Sequence, residues 1–304
     1  MSFKHPEYYK NTETGALKNT CDYDTRKALG CTEQFLESGF LKDSRWDRYA
    51  EYDTRCKNCE HYCHGVGIYF GDGKTTDNIK ERDIIWCRCR IKTSDELAKA
   101  LSFMPKDLKA IMFDDVRCEA LDGLEAFKGL ECVLIGYSPK LVRFWDFSKT
   151  PDLKVLEYVA NVHLTDLSEL AHAKSLEYLG IMTLTSRTGM NYVDSFEPLA
   201  ELKNLKELRL EAVMSRDGNM DHLINIEKLE KIWISPHTFN TEDFAKFEAL
   251  KFKIYGEYGI FSCGDDARPL GKGGRCFKSE KSKEKYRKEY AELMEKYKKE
   301  PERR

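Results

Sequence analysis

A short apolar phrase recurs through the middle of the chain. It has the form Leu-x-x-apolar-x-apolar and appears as DLKAIMF, GLECVLI, DLKVLEY, SLEYLGI, NLKELRL and KLEKIWI, with leading leucines at Leu108, Leu130, Leu153, Leu176, Leu205 and Leu229. A weaker seventh copy, ALKFKIY, has its leucine at Leu250. The alternation within each phrase predicts a short strand with one buried set of side chains. The recurrence predicts a repeat architecture of about six to seven units.

A second apolar cluster precedes several of these strands. LTDLSELAHAKS, DSFEPLAELKN and MDHLINIEKLE carry leucines spaced by one or two helical turns. One strand and one short helical return cannot bury both of their apolar faces alone, whereas stacked copies can. The pattern therefore predicts an α/β solenoid.

The repeated phrase resembles the leucine-rich repeat family, most closely its short bacterial, internalin-like form, in which PLAELKNLKELRLEA (residues 198–212) is typical. The resemblance implies a horseshoe with a parallel sheet on its concave side. The family usually has Asn at the ninth position of each unit, but only Asn161 stands there in this chain; the others are Val116, Ser138, Leu184, Val213 and His237. The longest unit, which contains TSRTGMNYVDS, is expected to bulge as a loop.

The pattern divides the chain into three regions. Residues 1–92 form a cysteine-rich, non-repeat N-terminal cap, residues 93–255 the solenoid, and residues 256–304 a loop and an amphipathic helix. TSDE, from Thr93 to Glu96, predicts a capping box that opens a helix. The C-terminal helix is expected from Ser279 to about Lys299, with a tyrosine face that covers the end of the solenoid.

The resemblance implies that a protein partner binds the exposed strand positions of the concave face. The candidate contact residues are Met112, Leu134, Glu157, Tyr178, Met182, Glu207, Arg209, Glu211, Lys231 and Trp233. The first rows of this face are largely apolar, so they need either a partner or a cover. The alternative is that the N-terminal or C-terminal segment of the same chain folds over them.

The N-terminal region carries a candidate metal site. Cys56-x2-Cys59 and Cys87-x-Cys89 supply four thiolates, the number that a structural zinc ion needs, and Cys63, His61 and His64 are spare ligands. Four protein ligands leave no open position, so the predicted zinc would hold the fold. Buried or free thiols, and an iron–sulfur cluster or redox pair, are the alternatives.

Composition supports a globular protein without an evident enzymatic motif. The 304 residues are 41% hydrophobic with a net charge of −2, and no apolar run reaches the length of a membrane span, which favours a cytoplasmic protein with reduced cysteines. We predict a non-enzymatic interaction module. The alternatives are a zinc-dependent nucleic-acid binder, disfavoured by the lack of a basic stripe, and a cysteine-dependent effector enzyme, since Cys263-Gly-Asp265 resembles the motif of bacterial effector ubiquitin ligases.

Overall fold

A computed structural model describes residues 84–102, 104–159, 161–183, 190–252, 254, 269–271, 277 and 279–299. The chain divides into two compact units, residues 1–164 and residues 165–304.

The first unit contains a ladder of four parallel strands in sequence order. They are β1 (Ile84–Ile91), β2 (Ala110–Val116), β3 (Cys132–Tyr137) and β4 (Val155–Val159). Helix α1 (Ser94–Ser102) connects β1 to β2, and 3₁₀ helices at Leu124–Ala126 and Phe147–Lys149 lie in the next two connections. Each of the first three strands is thus followed by a return segment, which together form the unit that the repeated phrase predicts.

The ladder begins one strand before the first leucine phrase. Ile84 of β1 pairs with Ala110 of β2, and the sequence has Arg82 two residues before Ile84, where a leading leucine would stand. Because β1 lacks the leading leucine, the Leu-x-x-apolar-x-apolar phrase does not identify this strand from the sequence. The register of β1 shifts between Cys87 and Arg90, which indicates a β-bulge.

The core of the first unit lies between the strands and the return segments. The ring of Phe144, in a connection, meets that of Tyr158, in β4, at a centroid distance of 5.0 Å. The ring of Trp145 lies against that of Phe147 with a tilt of 52° and 4.5 Å between centroids, and Trp145 Nε1 donates to Thr150 Oγ1 at 3.0 Å. These aromatic contacts fix the connections to the face of the sheet on which Tyr158 lies.

Helix α1 packs in the same layer as the other return segments. Gly123 precedes the first 3₁₀ helix with a φ of 105°, in the left-handed region that favours glycine. A Cβ atom at Gly123 would lie 2.8 Å from Leu101 Cδ1 of α1. Glycine therefore permits this close approach, and the layer of returns begins at α1.

Asn161 joins two successive turns of the first unit. Its Nδ2 donates to Ser138 O at 2.8 Å and to Leu141 O at 3.1 Å. Its Oδ1 accepts from His163 N at 2.7 Å and from Leu164 N at 3.1 Å. The side chain satisfies backbone groups at the turn after β4, as the ninth-position asparagine of the repeat is expected to do.

The second unit contains a ladder of three parallel strands and a two-stranded parallel sheet. The ladder consists of β5 (Tyr178–Met182), β7 (Glu207–Glu211) and β9 (Lys231–Ile234); β6 (Asn191–Val193) pairs with β8 (Val213–Ser215). The returns are 3₁₀ helices at Ser168–His172 and Glu197–Glu201, then α2 (Asp221–Ile224) and α3 (Thr241–Leu250).

The longest repeat, expected to bulge as a loop, contains a strand in its described part. Its residues Asn191–Val193 form strand β6, so the extra length builds a second, short sheet with β8. Between β7 and β8, Ala212 has a φ of 54°, which is uncommon for a residue with a Cβ atom. Its N–H donates to Ser235 Oγ at 2.8 Å, which helps to hold this turn.

Two helices close the described part of the second unit. Asn240 and Asp243 form a capping box at the start of α3, and α4 (Glu280–Lys299) packs against α3 with Tyr286, Tyr290 and Tyr297 buried. Leu250 ends α3, and residues 251, 252 and 254 form no strand, so the described residues do not extend the ladder at ALKFKIY. None of the described helices is long and apolar enough to cross a membrane.

Candidate binding face

Strand register aligns the candidate contact residues into rows. We define the outer strand face as the side of each ladder that points away from the return segments. In the first unit Met112, Leu134 and Glu157 are neighbours across β2, β3 and β4. In the second unit the rows are Tyr178, Glu207 and Lys231, then Gly180, Arg209 and Trp233, and then Met182 and Glu211.

The outer face of the first unit is buried on β3 and β4. Leu134 is 5% exposed and Glu157 is 0% exposed, although both alternate with core residues along their strands. Cys132, Val155 and Val159 on the same face are buried as well. The side chain of Met112 is outside the described part of the structure. Both faces of these two strands are therefore covered.

Exposure on the outer face of the second unit increases from β5 to β9. Tyr178 and Met182 on β5 are buried, whereas Trp233 on β9 is 47% exposed. Arg209, on β7 between them, is buried except for a small fraction of its side chain. The open part of this face is therefore at β7 and β9, around Trp233.

Two ion pairs surround Trp233. Lys231 Nζ lies 2.8 Å from Glu207 Oε1, and Arg209 Nη2 lies 2.6 Å from Glu211 Oε2. The Lys231 and Glu211 side chains are largely solvent-exposed, at 60% and 41%. Their partners Glu207 and Arg209 are largely buried, with side chains 14% and 8% exposed. The set presents one large aromatic ring among charges of both signs.

Comparisons with known proteins return structural neighbours alone. No protein-family model matches the chain, and no curated protein matches it. Among solved structures, an internalin from Listeria monocytogenes aligns with 15% identity and a TM-score of 0.34, over 54% of this chain and 57% of that one. Internalin C2 from the same organism aligns with 12% identity and a TM-score of 0.29, over 54% of this chain and 87% of that one.

These TM-scores are too low to support an assignment of the repeat type, which therefore rests on the geometry within this chain. The strands are parallel and follow one another in sequence order, with short returns between them. The leading leucines lie in the core, and Asn161 makes hydrogen bonds to the backbone of successive turns. The repeats have the architecture of leucine-rich repeats. In this architecture the outer strand face is the one that the family resemblance implies for binding.

The candidate metal ligands lie mostly outside the described residues. Cys56, Cys59, Cys63, His61 and His64 are not described. Cys87 and Cys89 are on β1, where only their backbone is described, and the bulge there interrupts the simple two-residue alternation. Within the residues that the structure describes, no group of three or more His, Cys, Asp or Glu side chains could hold a metal ion. The zinc site stays a prediction.

The two described thiols are in the leucine-rich repeats of the first unit. Cys118 and Cys132 are both buried. Burial, with a smaller contribution from Glu96, raises the pKa of Cys118 to about 11. Its thiolate, the nucleophilic form, is therefore scarce at neutral pH. Cys263 and Asp265, on which the effector-enzyme alternative depends, lie outside the described residues.

Which part of the outer face is open was not predicted from the sequence. A signal was present, because the outer positions of β3 and β4 are apolar apart from Glu157, and the charged rows begin at Glu207. An apolar row on both sides of a strand is typical of a strand covered on both faces. Glu157 obscured this signal, since a carboxylate normally indicates exposure.

Proposed function

We propose that the chain is a non-enzymatic protein-interaction module that binds a protein partner through the outer strand face at β7 and β9. The exposure of Trp233 beside the Arg209–Glu211 pair carries this proposal. Tryptophan and arginine are enriched among residues that dominate binding energy at protein interfaces. An exposed tryptophan in the middle of a rigid strand loses little conformational entropy when a partner covers it.

The charged residues around Trp233 would form a polar rim that makes the proposed binding site selective for its partner. Lys231 and Glu207, like Arg209 and Glu211, satisfy each other in the free protein. A partner with complementary charges can contact the exposed side chains of Lys231 and Glu211. We therefore expect the partner surface to combine an apolar pocket for the indole ring with groups of both charge signs.

The test compares two exposed aromatic residues of the same unit. Trp233 is 47% exposed on the ladder, and Tyr192 is 45% exposed on the two-stranded sheet. Wild type, Trp233→Ala and Tyr192→Ala are each used as bait in extracts of the native host, and the captured proteins are quantified by mass spectrometry. Binding of the purified partner is then measured by calorimetry.

Trp233→Ala is expected to weaken binding at least tenfold, while Tyr192→Ala leaves the affinity nearly unchanged. Circular dichroism should show the same folded content in all three proteins, because both side chains are substantially exposed. Equal affinity of the wild type and Trp233→Ala for every captured partner would contradict binding at this part of the face.

A further inference from the structure

The outer face of β3 and β4 is buried, so a part of the chain must cover it. Alternation places Leu134 and Glu157 opposite to the side of the sheet on which Tyr158 packs. The described connections of this unit pack on the Tyr158 side, through Phe144 and through the contact of Leu101 with Gly123. The returns therefore do not account for the burial of the outer face.

The chain before β1 is the remaining part of this unit. The unit comprises residues 1–164, and β1 begins at Ile84. Residues 1–83 thus lead directly into the first strand of the ladder whose outer face is covered. We propose that residues 1–83 of the same chain cover the outer strand face of β3 and β4, with Leu134 and Glu157 at the centre of the contact.

The chemistry of the face defines what the covering segment must offer. Leu134, Val155 and Val159 require apolar contacts, and the fully buried carboxylate of Glu157 requires a cation or hydrogen-bond donors. The stretch QFLESGFLKDSRWDRYAEYD (residues 34–53) contains both kinds of group, with Phe35, Phe40, Leu41 and Trp46 beside Arg45 and Arg48. This stretch is the part of the N-terminal region that we expect to lie on Glu157.

The inference goes beyond the proposed function and concerns a different part of the face. It assigns the β3 and β4 surface to an intramolecular contact and leaves Trp233, in the second unit, for a partner. Its test needs no partner, so failure of one proposal leaves the other standing.

A photo-crosslinker at position 134 tests the occupant directly. A diazirine analogue of leucine, nearly isosteric with Leu134, is introduced at that position in the full-length chain, and the control places it at Leu156, a core position on the neighbouring strand. A mixture of isotopically light and heavy protein distinguishes contacts within a chain from contacts between chains.

The probe at position 134 is expected to react with peptides from residues 1–83 of the same chain, and the control probe with residues of the core. Crosslinks from position 134 to a second copy, to residues 84–304 alone, or to solvent alone would overturn the proposal.

Thiol labelling gives a second readout, with a variant that weakens the contact. Leu134→Asp places a second carboxylate beside Glu157 on the outer face. Labelling of Cys132, on the same face, is expected to rise at least tenfold, while Cys118 stays protected. Unchanged labelling of Cys132, or an equal rise at both thiols, would overturn the proposal, since the second result indicates a core residue rather than a covered surface.

Discussion

At the scale of the residue, Asn161 shows how one side chain stabilises successive turns. It donates two hydrogen bonds to backbone groups and accepts two from them, and all four are between 2.7 and 3.1 Å. Ser138, in the corresponding position one repeat earlier, donates its hydroxyl to Val159 O at 3.2 Å. The shorter side chain of Ser138 therefore makes a single hydrogen bond between repeats at the position where Asn161 makes several.

Asn161→Ala is expected to lower the free energy of unfolding by about 2–3 kcal/mol, because it leaves partly buried backbone groups without partners. Urea unfolding followed by circular dichroism measures the change. Asn225, which is exposed at the end of α2, provides the control, and Asn225→Ala should change stability by less than about 0.5 kcal/mol. Similar effects of the two substitutions would contradict the role of Asn161.

At the scale of the element, α3 and α4 are joined at a polar contact as well as by the buried tyrosines. Glu242 Oε1 accepts from Lys296 Nζ at 2.8 Å and from Tyr297 Oη at 2.6 Å. These two hydrogen bonds hold the pKa of Glu242 below its ordinary value, and the one from Lys296 has the larger effect. The charged form of Glu242 therefore favours the packed pair of helices.

The lowered pKa of Glu242 gives a pH dependence with a defined sign. Its contribution is present at neutral pH and is lost as the pH falls through and below the ordinary range of a glutamate. Glu242→Gln should therefore reduce the loss of stability on acidification, with a neutral-pH effect below about 1 kcal/mol because the pair is exposed. Thermal unfolding midpoints, measured from neutral pH down through the ordinary titration range of a glutamate, test this pH dependence. Glu197→Gln is the control, because Glu197 is exposed on another return segment.

At the scale of the whole molecule, the cysteine-rich N-terminal region leads into the first leucine-rich repeat through β1. Cys87 and Cys89 lie on this strand, and β1 pairs with β2 in the register of the repeats. Terminal repeats need a cover for their apolar edge. A zinc ion shared by Cys56, Cys59, Cys87 and Cys89 would connect the covering region to the ladder itself.

Protein purified under reducing conditions is expected to contain about one zinc ion per chain, and Cys56→Ser should lose it. Elemental analysis by mass spectrometry measures the metal. Cys118→Ala is the matched control, because Cys118 is a buried thiol in the repeats and should retain the metal. A wild-type chain without zinc would leave buried thiols or another metal centre as the alternatives.

Periodicity alone determined much of the architecture. The six leucine phrases predict β2, β3, β4, β5, β7 and β9, and their leading leucines lie in the core, because burial of one strand face requires regular alternation. The tyrosine stripe likewise predicts the buried side of α4. The sequence also placed Trp233 and its charged neighbours on one face.

Tertiary structure alone decided which parts of each face are buried. β1 lacks the leading leucine and is recognised only through its pairing with Ala110 and its neighbours, and β6 forms only because β8 lies beside it. Glu157 has the sequence character of an exposed residue and yet is buried. Local alternation determines which side chains share a face, whereas their burial depends on segments distant in the chain.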